Sequence, residues 1–361
     1  GIGGDMTQFL DACWLYGDKS RIAEIYMQPV VISKTYGNHP SFLLFSNGNE
    51  TMGNFELLSD ITIAMRAYDP RRLYTLTSNF DHPVLPCEDY FCAQEAYGNH
   101  VRIQNLHDTV AEHTSLDYAK AVSDVDICEK YTGNMLPTNF AAIREHMKKR
   151  GIYAKLKDYL AASGDLAAKL YKEDIEAALR TKDCGGFELL SLSDFTGQST
   201  ATVGILDVFF ESKGIIAPEQ FRQFCNSVVP LFKARRIYRN TERLDAELAL
   251  YDFGAERIQQ PVYKLAIYNG SELFYETVTT ETAVSVPLDA ITRAALLTVT
   301  LSVGAYTNSW RVYVYPAANE AQPLPLIRTS EALQRIIKDG GRTVVTADLL
   351  KKPIAGSFIP V

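Results

Sequence analysis

The sequence predicts an α/β region followed by an all-β region, and two observations carry that prediction. From Gly1 to about Ser227, helical stretches alternate with short apolar runs: Phe42-Leu43-Leu44-Phe45, Leu73-Tyr74-Thr75-Leu76-Thr77, Val101-Arg102-Ile103 and Phe187-Glu188-Leu189-Leu190-Ser191-Leu192. Beyond about Tyr238 the period shortens to strand-like runs with turn residues between them. The 361 residues are 47 % hydrophobic and 22 % charged, which is globular and excludes a disordered, collagenous or coiled-coil chain.

The elements follow in order. Residues 7–16 read as a helix. Residues 54–67 carry Leu57, Leu58, Ile61 and Met65 at helical spacing and stop at Asp69-Pro70, where proline forbids continuation. Residues 139–149 put Phe140, Ile143 and Met147 on one face before Gly151, and residues 165–180 do the same with Leu166, Leu170, Ile175 and Leu179. Strands are expected at 244–251, 262–268, 273–278, 296–303 and 310–315, an even spacing that points to an antiparallel sandwich of the immunoglobulin-like kind. Arg235, Arg236, Arg239 and Arg243 make the stretch around 237–243 polar, so it reads as an exposed junction. Residues 328–361 return to a helix at 331–338, a Gly340-Gly341 stop and a strand at 343–346, the opening of a further α/β domain. The expected division is therefore 1–236, 237–318 and 319–361.

Charge and composition narrow the function. The formal charge of −7 comes without a basic block that could neutralise a run of phosphates, so nucleic acid is not an expected partner. No apolar run approaches the roughly 20 residues that a membrane helix needs, and no membrane partner is expected. The six cysteines lack the regular spacing of a disulfide scaffold. The chain starts at Gly1 with neither an initiator Met nor a signal peptide, so it reads as a processed product or part of something longer.

The most informative segment is Gly37-Asn38-His39-Pro40-Ser41-Phe42-Leu43-Leu44-Phe45-Ser46-Asn47-Gly48-Asn49-Glu50. A turn feeds a fully apolar strand that delivers an Asn-Glu pair at its C-terminal tip. In a (β/α) barrel that tip is the catalytic face, so Glu50 is a candidate catalytic carboxylate; the alternative is that it caps the following helix. His107 and His113 with Asp108 and Glu112 fit no standard zinc spacing. Asn49-Glu50-Thr51 and Asn269-Gly270-Ser271 match the glycosylation sequon. Phe80, Tyr90 and Phe91, in the expected loop after the strand at 73–77, are candidates to stack on a pyranose.

His39-Pro40-Ser41 followed by Gly48-Asn49-Glu50 resembles the fourth-strand motif of glycoside hydrolase family 2, in the clan of retaining barrel glycosidases. Gly185-Gly186-Phe187-Glu188-Leu189-Leu190-Ser191-Leu192-Ser193-Asp194-Phe195-Thr196-Gly197-Gln198 resembles the eighth strand, and it continues through Val203-Gly204-Ile205-Leu206-Asp207 in the manner of a β-galactosidase-like, sugar-binding subgroup. Asp69-Pro70-Arg71-Arg72-Leu73-Tyr74 with Ser78-Asn79 is similar to strand five, Lys130-Tyr131-Thr132-Gly133 to the entry of helix seven, and Asn308-Ser309-Trp310 to the sandwich. The resemblance implies a (β/α)8 TIM-type barrel before the immunoglobulin-like sandwich, and removal of a terminal β-linked sugar with retention. It implies Glu50 as acid/base and Asn49 as the contact to the sugar 2-hydroxyl; Asn79, Phe80, Asp194 and Gln198 are further candidate sugar contacts. It also implies a carbohydrate partner, no cofactor, and a periplasmic or extracellular setting. For Asp194 the residues alone equally suggest a turn-forming Asp that satisfies its own backbone.

The sequence departs from the family at two places. Only about five strand candidates precede the sandwich, where a closed barrel takes eight, so the barrel reads as incomplete. The nucleophile of the family follows an apolar seventh strand with a His-Glu tip, expected between 117–122 and 123–133, and the sequence has no such run there. Glu112, beside His113, is the substitute nucleophile, with Glu129 the other nearby carboxylate; neither follows a strand-like run. A second reading is therefore a carbohydrate-binding relative without turnover.

Overall fold

The structure of the protein, a computed structural model, describes residues 19–48, 54–76, 85–93, 111–116, 124–133, 136–181, 184–189, 192–196, 201–317, 326–340 and 343–346. The expected helix at 7–16 and the apolar run at 101–103 lie outside these residues.

The α/β region opens with α1 (Lys19–Tyr36), β1 (Leu44–Ser46), α2 (Phe55–Tyr68) and β2 (Leu73–Thr75). β1 and β2 pair in parallel, with Phe45 opposite Tyr74. Asn54 caps α2 by accepting from the Leu57 amide at 3.1 Å, and the helix ends where Asp69-Pro70 forces it to. Its buried face, Leu58, Ile61 and Met65, packs on Phe45, Tyr74, Leu76 and Cys87, which places α2 against the β1–β2 pair. As the sequence predicts, the helical period alone chooses that face.

Three further parallel strands follow: β3 (Tyr90–Ala93), β4 (Ala111–Leu116) and β5 (Cys184–Leu189), in the order β3-β4-β5. Two of them overturn expectations. Tyr90 and Phe91 belong to β3 rather than a loop, and Tyr90 is buried, so it offers no face to a ligand. Glu112 and His113 lie inside β4, whereas no strand was expected around them. Ala111-Glu112-His113-Thr114-Ser115-Leu116 carries apolar side chains only at its ends. Its strand state comes from backbone pairing to β3 on one side and β5 on the other, which side-chain periodicity does not report.

Between β4 and β5 lie a 3₁₀ turn (Val125–Lys130), α3 (Thr138–Lys149), a second turn (Tyr153–Lys155) and α4 (Leu156–Arg180). α4 starts well before the expected residue 165, and its buried stripe is Gly164, Ala167, Tyr171, Ile175 and Ala178. Leu166 and Leu170, expected on that face, are 57 % and 40 % exposed. Small residues line the stripe because neighbours approach closely: a Cβ on Gly164 would sit 3.5 Å from Ile215.

A short helix α5 (Pro218–Phe221) leads into β6 (Val228–Lys233), β7 (Ile237–Arg239), β8 (Arg243–Asp252), β9 (Tyr263–Asn269), β10 (Glu272–Thr279), β11 (Ala283–Pro287), β12 (Ala295–Val303) and β13 (Tyr306–Tyr315). They form a five-stranded sheet, β10-β9-β12-β13-β7, and a three-stranded sheet, β11-β8-β6. The two share one apolar core, in which Phe232 of β6 meets Trp310 of β13 with ring centroids 5.2 Å apart. Gly270, at φ +63°, supplies the left-handed residue that the two-residue turn between β9 and β10 requires. The sandwich starts at Val228, ahead of the expected boundary at 237. The stretch expected as an exposed junction contains β7, which pairs with β13 and buries Tyr238. Arg239 faces outward on this edge strand, Arg235 and Arg236 directly precede it and Arg243 opens β8, which is why the composition reads as a linker.

At the end of the described chain, β14 (Leu326–Ile327) and β15 (Val344–Val345) pair in parallel around α6 (Ser330–Asp339), which Gly340 closes at φ +70°.

One buried polar centre joins the two regions. Glu176 of α4 is fully buried. It accepts from Asn308 Nδ2 and from Trp310 Nε1, each at 2.8 Å, and pairs with Lys172 and Arg180. Lys172 also donates to Asn308 Oδ1 and sits over the Trp310 ring, and burial pulls its pKa down.

Candidate active site

Parallel strands leave their C-terminal ends on one side of a sheet, and in α/β proteins loops there carry the chemistry. At that end of β1, Asn47 is buried. Its amide N–H donates to Thr75 O at 3.4 Å, and its Nδ2 donates to Thr62 Oγ1 at 2.8 Å, which itself donates to Leu58 O. Asn47 Oδ1 is buried and has no hydrogen-bond partner among the described residues. Ser46 Oγ donates to Gly48 O at 2.8 Å, folding the backbone back as it leaves the strand. Asn49 and Glu50 come next in the sequence and lie outside the described residues.

The corresponding end of β2 is fixed by a residue that the sequence did not single out. Glu88 is buried, and its carboxylate accepts from Thr75 Oγ1 at 2.8 Å and from the Leu76 and Leu85 amides at 2.9 Å. It ties the strand end to the segment entering β3. Asp89 extends the tie, accepting from the Tyr74 amide at 2.9 Å and pairing with Arg66 of α2 at 2.7 Å. The signal in the sequence is Glu88-Asp89 directly before Tyr90-Phe91, which becomes readable once β3 is known to be a strand. Asn79 and Phe80 lie outside the described residues.

The opposite end of β1 and β2 is built for stability. Asp69 is held by Arg71 at 2.7 Å, Arg72 at 3.3 Å and Ser33 Oγ at 3.0 Å. The Arg71 hydrogen bonds foremost keep its carboxyl well below the usual carboxylate range. Arg72 donates to Phe42 O at 2.8 Å and lies 4.2 Å above the Phe42 ring. The two ends thus differ in kind, with a closed ion-pair cluster at one and the Asn47–Thr62–Thr75–Glu88 network at the other.

Asp194 follows β5 and is buried. Its Oδ1 accepts from Lys213 Nζ at 2.5 Å and from the Gly204 amide at 3.0 Å, and Lys213 also donates to Gly204 O at 2.9 Å. Burial lowers the Lys213 pKa, so the pair clamps the loop at the cost of desolvating both charges. Tyr171 of α4 braces the same loop by donating to Val203 O at 2.9 Å, and burial pushes its phenol up to about 12. Gln198 lies outside the described residues. Glu112 is the second residue of the six-residue β4, opposite Phe91 and Cys184, and its strand ends at Leu116. Four residues at about 3.3 Å each put the strand tip roughly 13 Å beyond Glu112. The structure therefore brings Asn47, Thr75 and Glu88 together beside the segment that leads to Asn49-Glu50, while Asp194 sits in a separate clamp.

Among the described residues, no group of three His, Cys, Asp or Glu side chains could hold a metal ion, and no helix is long and apolar enough to cross a membrane. Cys87, Cys128 and Cys225 form no disulfide.

Comparison with known proteins gives a family match over residues 242–316, to a domain of unknown function (DUF8488). No curated protein matches the chain. Among solved structures, the chain is similar to the apo β-glucuronidase 3 of Bacteroides uniformis, at 13 % identity and a TM-score of 0.38, over 87 % of this chain and 42 % of that one. It is also similar to the endo-β-1,4-mannanase of Thermotoga petrophila, at 10 % identity and a TM-score of 0.30, over 88 % of this chain and 77 % of that one. The chain thus spans less than half the length of the β-glucuronidase, and both of these neighbours are glycoside hydrolases by name.

Proposed function

We propose that the protein is a glycoside hydrolase that removes a terminal β-linked sugar, β-galactoside-like, with retention. In this reading β1 to β5 are strands four to eight of a (β/α) barrel, and the sandwich is of the immunoglobulin-like kind. The observation that carries it is the exit of β1: the strand ends at Ser46, parallel to β2, and the chain runs through the buried Asn47 into Gly48-Asn49-Glu50. That is the order in which the resembling family presents its acid/base.

Glu50 protonates the glycosidic oxygen as a carboxylate attacks the anomeric carbon, giving a glycosyl-enzyme. The ionised Glu50 then takes a proton from water, whose oxygen displaces the carboxylate and releases the sugar. Glu50 must be protonated at rest, which needs a pKa raised by burial or by the second carboxylate. Asn49 holds the sugar 2-hydroxyl, with Asn79, Phe80 and Gln198 as further contacts. Asp194 supports the loop after β5 through Lys213.

Two carboxylates must stand about 5–5.5 Å apart for retention. The position of Glu112 near the start of β4 favours a second reading, a carbohydrate-binding relative without turnover, unless the nucleophile is Asp117, which follows Leu116 in the sequence. Turnover of aryl β-glycosides with graded leaving groups, beside calorimetric binding of the parent sugars, separates the two. Glu50→Gln is expected to lose about 10²–10⁴-fold on poor leaving groups and far less on activated ones. Equal loss on both removes Glu50 as the acid. Loss of turnover in Glu112→Gln or in Asp117→Asn identifies the nucleophile, and binding without turnover in the unmodified chain establishes the second reading.

A further inference from the structure

We propose that Phe209 and Phe210, backed by Tyr131, form a shelf on which a sugar ring stacks outside the reacting position; this rests on the glycosidase reading and adds a subsite for an extended β-linked oligosaccharide. Both segments lie downstream of adjacent parallel strands, Tyr131 after β4 and the two phenylalanines after β5. The Phe209–Phe210 loop is tied back to the end of β5 by bridges from Ser193 to Leu206 and from Leu206 to Ser212, and by the Lys213–Asp194 pair. It therefore lies on the exit side of β5 in the β3-β4-β5 sheet; β1, which leads to Asn47, belongs to the separate β1–β2 pair, and in the barrel reading both open on the same side.

Phe210 is the one non-glycine residue with positive φ among the described residues, at +62°, a region that a bulky side chain rarely enters. The turn is over-determined around it. The Phe209 and Glu211 amides both donate to Asp207 Oδ1, at 2.8 and 2.9 Å. The Phe210 amide donates to Asp207 O at 3.0 Å, and the Asp207 amide to Glu211 O at 2.9 Å. A glycine would hold this turn without strain, yet the residue is phenylalanine and its side chain is spent on no core, being 67 % exposed. Strain kept in place by its surroundings and aimed at solvent is the mark of a ligand contact.

The surroundings select the ligand. Tyr131 meets Phe209 edge-on, with centroids 5.2 Å apart, which fixes that ring. Lys130 lies 5.7 Å from the same ring and pairs with Glu211, so charged hydrogen-bonding groups border the aromatic surface. A stable protein partner needs a far larger continuous surface than two rings between charges. A pyranose has an apolar C–H face and a hydroxyl edge, which match the two parts of the shelf.

The test is calorimetric titration of the full chain with β-1,4-linked galacto-, gluco- and mannotetraose and their monosaccharides, for the unmodified protein, Phe209→Ala and Phe210→Gly. The expected result is that one tetrasaccharide binds more tightly than its monosaccharide. Each variant should lose about three- to tenfold on that tetrasaccharide and nothing on the monosaccharide. Phe210→Gly should also melt roughly 1–3 °C higher, because it relieves the left-handed strain, and so exclude misfolding as the cause. Unchanged tetrasaccharide affinity in both variants, or equal loss on monosaccharide and tetrasaccharide, overturns the shelf and leaves the glycosidase reading standing. Absence of binding to every sugar by the unmodified protein removes that reading and the shelf together.

Discussion

In the sandwich, β12 and β13 alternate buried and outward side chains along their length and pair residue for residue, with Val299 opposite Trp310 and Leu301 opposite Asn308. In the α/β region, β1 and β2 are strands of three residues whose ends are held by buried polar groups, Asp69 with Arg72 at one end and Glu88 with Thr75 at the other. The sandwich spends its apolar residues on a continuous core and leaves its turns to glycine. The α/β region spends buried charge on fixing loop ends, which costs desolvation but places the backbone where the chain leaves β1 through Asn47. A region meant to be a rigid support and a region meant to present loops are thus stabilised by different kinds of interaction.

The largest test of that contrast is the joint between them. Glu176→Ala leaves Lys172, Asn308 Nδ2 and Trp310 Nε1 buried without their shared acceptor, and is expected to cost about 3–5 kcal/mol. Scanning calorimetry should then resolve the sandwich as a separate, higher transition, while Glu176→Ala combined with Lys172→Met recovers part of the loss. A single transition at the original temperature would show that the two regions are joined elsewhere.

A smaller effect reads the α/β side alone. Burial, and then the nearby Glu173 carboxylate, push the Asp174 carboxyl up to about 6 from an unfolded value of 3.8. Because the folded state holds the proton more tightly, this stabilising contribution is complete below about pH 4 and is lost as pH rises through 6. Allowing for solvent screening, Asp174→Asn should gain about 1–2 kcal/mol at pH 8 and nothing at pH 3.5. Urea titrations at the two pH values measure it, and an equal gain at both would mean that the carboxyl is not shifted.

The smallest effect reads the sandwich alone. Gly270→Ala meets no atom within 4 Å, so its cost of about 1 kcal/mol is that of a left-handed backbone, and it should lower only the sandwich transition. A larger loss, or one shared by the α/β transition, would make the hairpin more than a local turn.

Particular elements show how far the residues alone could be read. The strands at 296–303 and 310–315 and the helix at 54–67 match β12, β13 and α2 closely, since alternation and helical period are local properties of the sequence. β4 escaped because Glu112-His113-Thr114-Ser115 has no apolar alternation and is a strand only through its two neighbours. The buried stripe of α4 escaped because Gly164 and Ala167 carry little hydrophobic signal, while Leu166 and Leu170 carry much and face outward. At the candidate site, the apolar run ending in Asn47 was legible from its pattern. Glu88 was not, since its role exists only in the approach of its carboxylate to Thr75 and Leu76.

What the sequence by itself determined is therefore the change of architecture along the chain, the hairpins of the sandwich, the amphipathic helix α2 and the apolar run that becomes β1 and leads into Asn47. Each depends on neighbours within a few residues, where propensity and periodicity act. Only the tertiary structure decided that β4 joins β3 to β5, that β7 is an edge strand instead of a linker, and that Asp194 pairs with Lys213. It alone decided that Glu176 gathers Lys172, Asn308 and Trp310 across two regions. These depend on which distant groups meet in a place without water, where an unpaired polar atom is costly and a paired one is held fast.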